Sequence, residues 1–433
     1  MIKKYLIQAF QLLRQQPLFS GFYILGSGLS ISMVMLIAII YYIKIADVYP
    51  ETNRSRTLIA LTSHMQGKDN PEENITSGFS YQIVRNCFYQ LKGAETVSAM
   101  MSPNEGMVQK TGSKQKIYVI TKAVDTNFWK VFSFSFLFGH PFSETDFTSG
   151  LPKVVLSEDI ARKIFNKSNV VGETIILNFK EYKICGVVKT PSYATEASYA
   201  HIWLPYTCIP GYDQTSRFDA LGSLQVYILL HKASDEDKIK KQVDEYVRKY
   251  NTQTNSDYKL MMDGQPYKYW KHLFSDSNMN ELDYTNLSRR IGLVLLVLLL
   301  VPALNLSGMI SSRMDKRLPE MGIRKSFGAT RNVLLSQIMW ENLVLTCLGG
   351  ILGLLISYGI IWFTQDWLLV LLNEDASPLP DNVQMGIHAD MLFNIPLFLL
   401  TFGICVILNL LSALIPAYIA LKKEIVYSLS KQK

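Results

Sequence analysis

Arg317-Leu-Pro-Glu320-Met-Gly322-Ile-Arg324-Lys325-Ser-Phe-Gly328-Ala329 is a basic stretch closed by glycine, and it lies between two long apolar runs, residues 291–310 and 333–363. Each run is long enough to cross a hydrocarbon core of about 30 Å at roughly 1.5 Å of helical rise per residue. The stretch between them is therefore a membrane-surface segment, and its positive charge puts it on the cytoplasmic side.

Two further runs, Leu18–Ile43 and Met391–Leu421, have the same character. The chain as a whole is 48% hydrophobic with a mean hydropathy of only +0.13, so the apolar content is concentrated in these four runs. Residues 44–289 between the first two have the composition of a soluble domain and suffice for one or two globular units. The expected fold class is a four-span α-helical membrane protein with a large mixed α/β extracytoplasmic domain between spans one and two. Lys3, Lys4 and Arg14 precede the first run, as in a signal peptide. The run is far longer than the roughly 7–15 residues of a signal core, and no small-residue cleavage site follows near Ala46, so an anchor is expected.

Lys and Arg cluster at the N-terminal flank, around residues 312–332 and in the tail at Lys422, Lys423, Lys431 and Lys433. The connection Thr364–Asp390 has neither, and carries Asp366, Glu374, Asp375, Asp381 and Asp390. Both termini and the 312–332 loop are thus expected in the cytoplasm and residues 44–289 outside. Arg289 and Arg290 run against the trend and are expected to snorkel to the interface. The resulting division is a cytoplasmic amphipathic helix at 1–17, spans at 18–43, 290–311, 333–363 and 391–421, the extracytoplasmic domain at 44–289, an outer loop at 364–390 and a tail at 422–433. In residues 2–15, Leu6, Phe10 and Leu13 share one side at helical spacing before Pro17. Orientation accounts for most of the net charge of +7, so nucleic acid is not implied.

Val154–Ser157 predicts a strand, Glu158–Phe165 a helix capped by Ser157, and Thr174–Val188 a hairpin turning at Asn178–Glu181. Asp235–Lys249 predicts a surface helix with Ile239, Val243 and Val247 inward. Cys87, Cys185 and Cys208 fall in this domain with a spacing that favours no pair; Cys347 and Cys405 fall inside spans.

Catalytic signatures are absent from the sequence. There is no phosphate-binding G-x-x-x-x-G-K-[ST], no H-E-x-x-H, no C-x-x-C and no G-x-S-x-G, and the six histidines are scattered. Glu341 is the one ionisable residue inside a span. An acid there costs at least roughly 2.5 kcal/mol near the bilayer centre, so it is expected to face a neighbouring helix or the interface. Gly349, Gly350 and Gly353 mark a face for close backbone approach, either within the chain or at a dimer seam. Pro302 and Pro396 are expected to kink their helices.

Arg313, Arg317, Glu320 and Arg324 would share one face of a continuous helix. Pro319 is expected to interrupt that helix and start a short second one, with Glu320 at its positive end and Gly328 as its stop. Thr330 would cap the next span, and Met321, Ile323 and Phe327 would be apolar knobs.

The segment Glu320–Ala329 resembles the E-x-G-I-R-K-x-x-G-A signature of the MacB/FtsX-type ABC transporter permeases, in which Arg317 matches a recurrent arginine. The likeness covers nearly the whole chain. Phe10–Arg14, Pro17–Ser20 and Ile24–Gly28 are similar to the family's first-span opening. Phe128, Gly139–Phe142, Val154–Ser157, Ala161, Phe165, Val171–Ile175 and Tyr182–Val188 resemble its exported core domain, and Ile415–Ala417 with Ala420 its last span. Pro319 departs from the commoner polar or basic residue.

The resemblance implies a non-catalytic permease subunit in the inner membrane, coupled to a separate ABC ATPase subunit that holds ATP and Mg; no cofactor or metal is expected in this chain. It also implies a second permease subunit, homo- or heterodimeric, and a periplasmic adaptor or outer-membrane partner. Arg317, Glu320, Met321, Gly322, Ile323, Arg324, Lys325, Gly328 and Ala329 would be the ATPase-coupling residues. Their motion would be transmitted to the exported domain for efflux of a peptide, hydrophobic toxin or lipoprotein. An FtsX-like regulator of cell-wall hydrolases, a peptide sensor, and a membrane-anchored receptor or scaffold without energy coupling are the alternatives. An autonomous proton-coupled transporter is disfavoured by the scarcity of intramembrane carboxylates.

Overall fold

A computed structural model describes residues 15, 17–214, 218–254, 256–272, 284–372 and 394–422. The amphipathic segment predicted for residues 2–15, the tail 423–433 and most of the loop 364–390 lie outside the described residues. Among these, six helices have eight residues or more: α1 (Pro17–Ile45), α2 (Glu158–Phe165), α3 (Glu236–Gln253), α4 (Tyr284–Ser326), α5 (Arg331–Leu372) and α6 (Ile395–Lys422). The chain divides into two compact units, one within Met1–Tyr42, Asp283–Leu368 and Ala389–Lys433, the other within Ile43–Leu282 and Leu369–His388.

In the helical unit, three helices are long and apolar enough to cross a membrane: Pro17–Ile45, Arg331–Thr364 and Ile395–Ile419. The second predicted span falls in α4. Small residues set how closely these helices pack. A Cβ on Gly349 would stand 2.1 Å from Ser27 Oγ, one on Gly353 2.6 Å from the Gly28 carbonyl, and one on Gly350 2.1 Å from the Phe402 ring. At these three positions the small-residue face is filled by α1 and α6 of the same chain. Tyr23, Met314, Met321, Ile338, Ala417 and Leu421 form part of one buried cluster that joins α1, α4, α5 and α6.

Two proline expectations change. Asn394 caps α6, its side-chain oxygen accepting from Leu397 N at 2.8 Å and its carbonyl from Phe398 N at 3.0 Å. Pro396 therefore sits in the first turn, where its missing N–H breaks no helical bond. Helix α4 runs through both Pro302 and Pro319, so the loop expected at 312–332 shrinks to the short connection between Ser326 and Arg331.

The second unit is built on a mixed sheet. Strand Leu224–Leu230 pairs antiparallel with Ala94–Met101, and Lys180–Val188 lies parallel to Lys153–Ser157 on one side and antiparallel to Thr174–Leu177 on the other. Strand Ile202–Pro205 runs parallel to Ile117–Val124. Ser63–Gly67, Asn74–Phe79 and Tyr258–Met261 form a smaller antiparallel group. Helix α2 spans the predicted residues, but Ser157 occupies the cap position without its hydroxyl making a cap hydrogen bond, and the predicted hairpin closes on Asn178-Phe179, both left-handed at φ +47° and +67°. Helix α3 extends four residues past the predicted end.

Trp203 anchors an aromatic core: its ring lies 5.1 Å from Phe134 and 6.1 Å from Trp129, and its indole N–H donates to the Ser198 carbonyl at 3.1 Å. Near the start of the unit Glu51 is wholly buried. It accepts from Arg54 Nε at 2.6 Å, Ser198 N and Oγ at 2.9 and 2.8 Å, and the Tyr269 hydroxyl at 2.8 Å. Arg54 donates onward to the carbonyls of Ile43, Lys44 and Ala46, satisfying groups that the end of α1 leaves without helical partners. Although burial alone would raise the Glu51 carboxyl, the Arg54 charge and these donors hold it below the usual carboxylate range. Cys87, Cys185 and Cys208 are free, buried thiols, and burial pushes Cys87 and Cys185 up to about 12.

Candidate functional site

The predicted coupling residues occupy the last turns of α4 and the turn that follows it, and Arg317, Glu320 and Arg324 among them form a closed hydrogen-bonded ring with Gln337 and Glu341 of α5. Glu341 of α5, only 2% exposed, accepts from Arg317 Nη1 at 2.6 Å and Nη2 at 3.4 Å, from Arg313 Nη2 at 3.1 Å and from Gln337 Nε2 at 3.1 Å. Gln337 Oε1 accepts from Arg324 Nη1 at 2.7 Å. Arg324 Nη2 donates to Glu320 Oε1 at 2.7 Å, and Glu320 Oε2 accepts from Arg317 Nε at 3.4 Å, completing the circuit. Arg313 also stacks over the Phe19 ring of α1 at 5.0 Å.

This geometry explains why Pro319 does not interrupt the helix. A proline in a helix interior removes one backbone bond and costs roughly 3 kcal/mol. The ring fastens Arg317 before it and Arg324 after it to Glu341 and Gln337 of α5, and Glu320 bridges the two arginines along α4, so both sides of the proline keep helical register. Arginines at 313, 317 and 324 follow helical spacing and reach Glu341 or Gln337, while the half-exposed Glu320 lies at the rim between Arg317 and Arg324.

The remaining predicted residues have distinct places. Met321 is buried with Ile338 and Leu421, and Gly322 is buried beside it. Lys325 Nζ donates to the Leu421 carbonyl at 2.5 Å, in the last turn of α6, where a cation meets the negative helix end. Gly328 has φ +90°; its N–H donates to the Lys325 carbonyl and the Ala329 N–H to the Arg324 carbonyl, each at 3.0 Å. That pair of bonds is a Schellman stop, and the left-handed residue in it is usually glycine. Ile323 and Phe327, one helical turn apart, point outward at 47% and 87% exposure, beside the half-exposed Glu320 and Arg324.

The sequence reading expected Glu341 to face a neighbouring helix or the interface, and it faces α4, but that reading did not identify its partners Arg313, Arg317 and Gln337. The available signal was a lone carboxylate in a span with arginines at the end of the preceding span, because a buried charge is retained only when paired. Among the described residues no group of three or more His, Cys, Asp or Glu is placed to hold a metal ion. The arrangement has no nucleophile and base in register; it is a rigid polar clasp carrying an outward apolar and charged patch.

The described residues thus combine membrane-length helices, a buried ion cluster between two helices, and a large mixed α/β unit that follows the first helix in the chain. Residues 20–246 match the MacB-like periplasmic core domain and residues 292–425 the FtsX-like permease C-terminal domain. The chain belongs to this family and is an ABC transporter permease of the MacB/FtsX type. It is 25% identical over 296 residues to the uncharacterized ABC transporter permease YknZ of Bacillus subtilis (strain 168), covering 67% of this chain and 68% of that one. It is 24% identical over 256 residues to the macrolide export ATP-binding/permease protein MacB of Salmonella typhimurium (strain LT2), covering 58% of this chain but only 37% of MacB. The solved extracellular domain of YknZ is similar over 47% of this chain, with a TM-score of 0.35 and 15% identity.

Proposed function

We propose that this chain is a four-span permease subunit that takes its energy from an ABC ATPase on a separate polypeptide, and that the last turns of α4 are where the two meet. The observation that carries the reading is the clasp. It fixes Arg317 and Arg324 to α5, with Glu320 bridging them, while leaving Ile323 and Phe327 as an unburied apolar pair, the arrangement a partner groove can grip. The 433 residues contain no phosphate-binding loop motif, and YknZ, matched over most of its length, is named as a permease. ATP and Mg would be held by the partner.

In this reading ATP-driven closure of two ATPase subunits displaces α4 and α5 in a dimer of permeases, and the motion is passed to the exported domain. No substrate path through the bilayer is required. Both termini and the α4–α5 turn would be cytoplasmic and the mixed α/β unit periplasmic. The cargo would be a peptide, hydrophobic toxin or lipoprotein; export is the activity named for the MacB relatives.

The test is detergent co-purification of the full chain with candidate ABC ATPase subunits from the same genome. The natural chain should capture one of them. Glu320→Lys/Arg324→Glu, and separately Phe327→Asp, should lose it while remaining monodisperse. Absence of capture by the natural chain, or capture unaffected by either variant, would remove the proposed motor.

A further inference from the structure

The second unit contains a cleft of about 770 Å³, within the roughly 300–1,000 Å³ range of small-molecule sites. Its inner surface is apolar, with Met101, Ala123, Leu177, Tyr182, Leu204 and Ile209. Short uncharged polar groups border this surface, among them Thr62, Ser77, Ser102, Asn104, Asn178 and Gln225. Among the described lining residues the only charge is Lys180, and no Asp or Glu joins it. Strand alternation accounts for that: Lys180 and Tyr182 share a face, whereas Glu181 between them points away.

Lys180 is built into the site. Its ammonium donates to the Cys208 carbonyl at 3.0 Å and lies 5.5 Å from the centre of the Tyr182 ring. An ammonium has three donors, so this anchoring leaves capacity for an incoming anion. The cleft wall is equally fixed. A Cβ on Gly78 would stand 2.7 Å from the Leu224 carbonyl, and one on Gly222 2.6 Å from the Phe79 carbonyl. Between Asn178 and Lys180, the hairpin tip holds Phe179 at φ +67°, a conformation bulky residues seldom adopt, with its ring 90% exposed.

We propose that this cleft binds a small amphiphile carrying one negative charge, its apolar body against Leu177, Ala123 and Leu204 and its anionic group on the Lys180 ammonium. The inference names a cargo class for the export reading and rests on that reading only for the fate of the ligand once bound.

The experiment uses the full chain in lipid nanodiscs, without any ATPase, and a diazirine-bearing palmitic acid, with the corresponding alcohol as uncharged control. After photolysis, labelled peptides are mapped by mass spectrometry. The carboxylate should label peptides spanning residues 101–104, 177–182 and 208–210, compete with unlabelled palmitate, and exceed the alcohol there. Lys180→Gln should reduce that labelling roughly tenfold, as expected for a lost charge-assisted contact. Ser223→Trp, a filling substitution at an exposed rim position, should reduce it similarly, while labelling of α1, α5 and α6 by bilayer-dissolved probe stays constant. Equal labelling by acid and alcohol, insensitivity to both substitutions, or labelling confined to the spans would overturn the proposal. Such a result would leave the ATPase reading standing, just as failure of ATPase capture would leave the cleft.

Discussion

Glu341 illustrates how a buried charge organises its surroundings. With Arg313, Arg317 and Gln337 all donating to it, the carboxylate is fully satisfied, and removing it would strand two guanidinium groups inside the helical unit. Breaking a buried pair by deleting one partner costs about 3–5 kcal/mol, more than the pair contributes relative to an apolar replacement. Glu341→Gln should therefore lower the thermal unfolding temperature of the purified chain substantially. Replacing Glu341, Arg313 and Arg317 together by Met should recover much of that loss, because no buried guanidinium is then left without its carboxylate; losses that simply add would mean that these side chains are not energetically coupled. The acid was visible in the sequence as an anomaly, but its partners lie 24 and 28 residues away, and only the packing of α4 on α5 brings them together.

At the level of elements, helix α2 and the hairpin at 174–188 were legible because local rules decide them. Apolar periodicity and a polar turn point the same way there, even though the Ser157 hydroxyl does not supply the expected cap bond. The 312–332 segment was not legible, since its local rules conflict. Its charges and Pro319 indicate a loop, whereas the face shared by Arg313, Arg317, Glu320 and Arg324 indicates a helix. Long-range pairing with Glu341 and Gln337 decides in favour of helix. The glycine that ends it was readable, because a left-handed stop is a local requirement. Gly328→Ala places a side chain at φ +90° and should destabilise the turn by about 1–2 kcal/mol. Faster proteolysis between Phe327 and Arg331 is the expected readout; unchanged cleavage would show that the turn does not need glycine.

On the scale of the molecule, composition and charge separated a membrane part from an exported part, but no periodicity indicated how the exported strands would pair. That pairing decides which buried groups titrate. His201 is buried in the second unit, its Nδ1 accepting from Ile120 N at 2.9 Å and its Nε2 3.0 Å from the Tyr199 hydroxyl. Because Nδ1 accepts, the neutral ring carries its proton on Nε2. Burial lowers its pKa from 6.5 to about 4. The unfolded chain thus takes up a proton first as pH falls, so stability present at pH 7 is lost progressively between about 6.5 and 4 and levels off below. The loss from this group is at most about 3 kcal/mol, from roughly 1.36 kcal/mol per pKa unit. Protection factors of strand Ile117–Val124 in the full chain, which correct for the intrinsic slowing of amide exchange in acid, should fall more steeply across that interval than those of His201→Gln; an identical pH profile in the variant would assign the pH dependence to other groups, such as the buried Asp125.

The short connection between α4 and α5 has a mechanical meaning. Two long helices joined by residues 327–330 are tied to each other behind that turn, by Arg324 on Gln337 and, further along, by Arg317 on Glu341. A hinge needs backbone dihedrals free to change, and here both flanks of the turn are tied. A force applied at Phe327 would reach both helices as a single displacement, so whatever bending the unit permits must occur further along them.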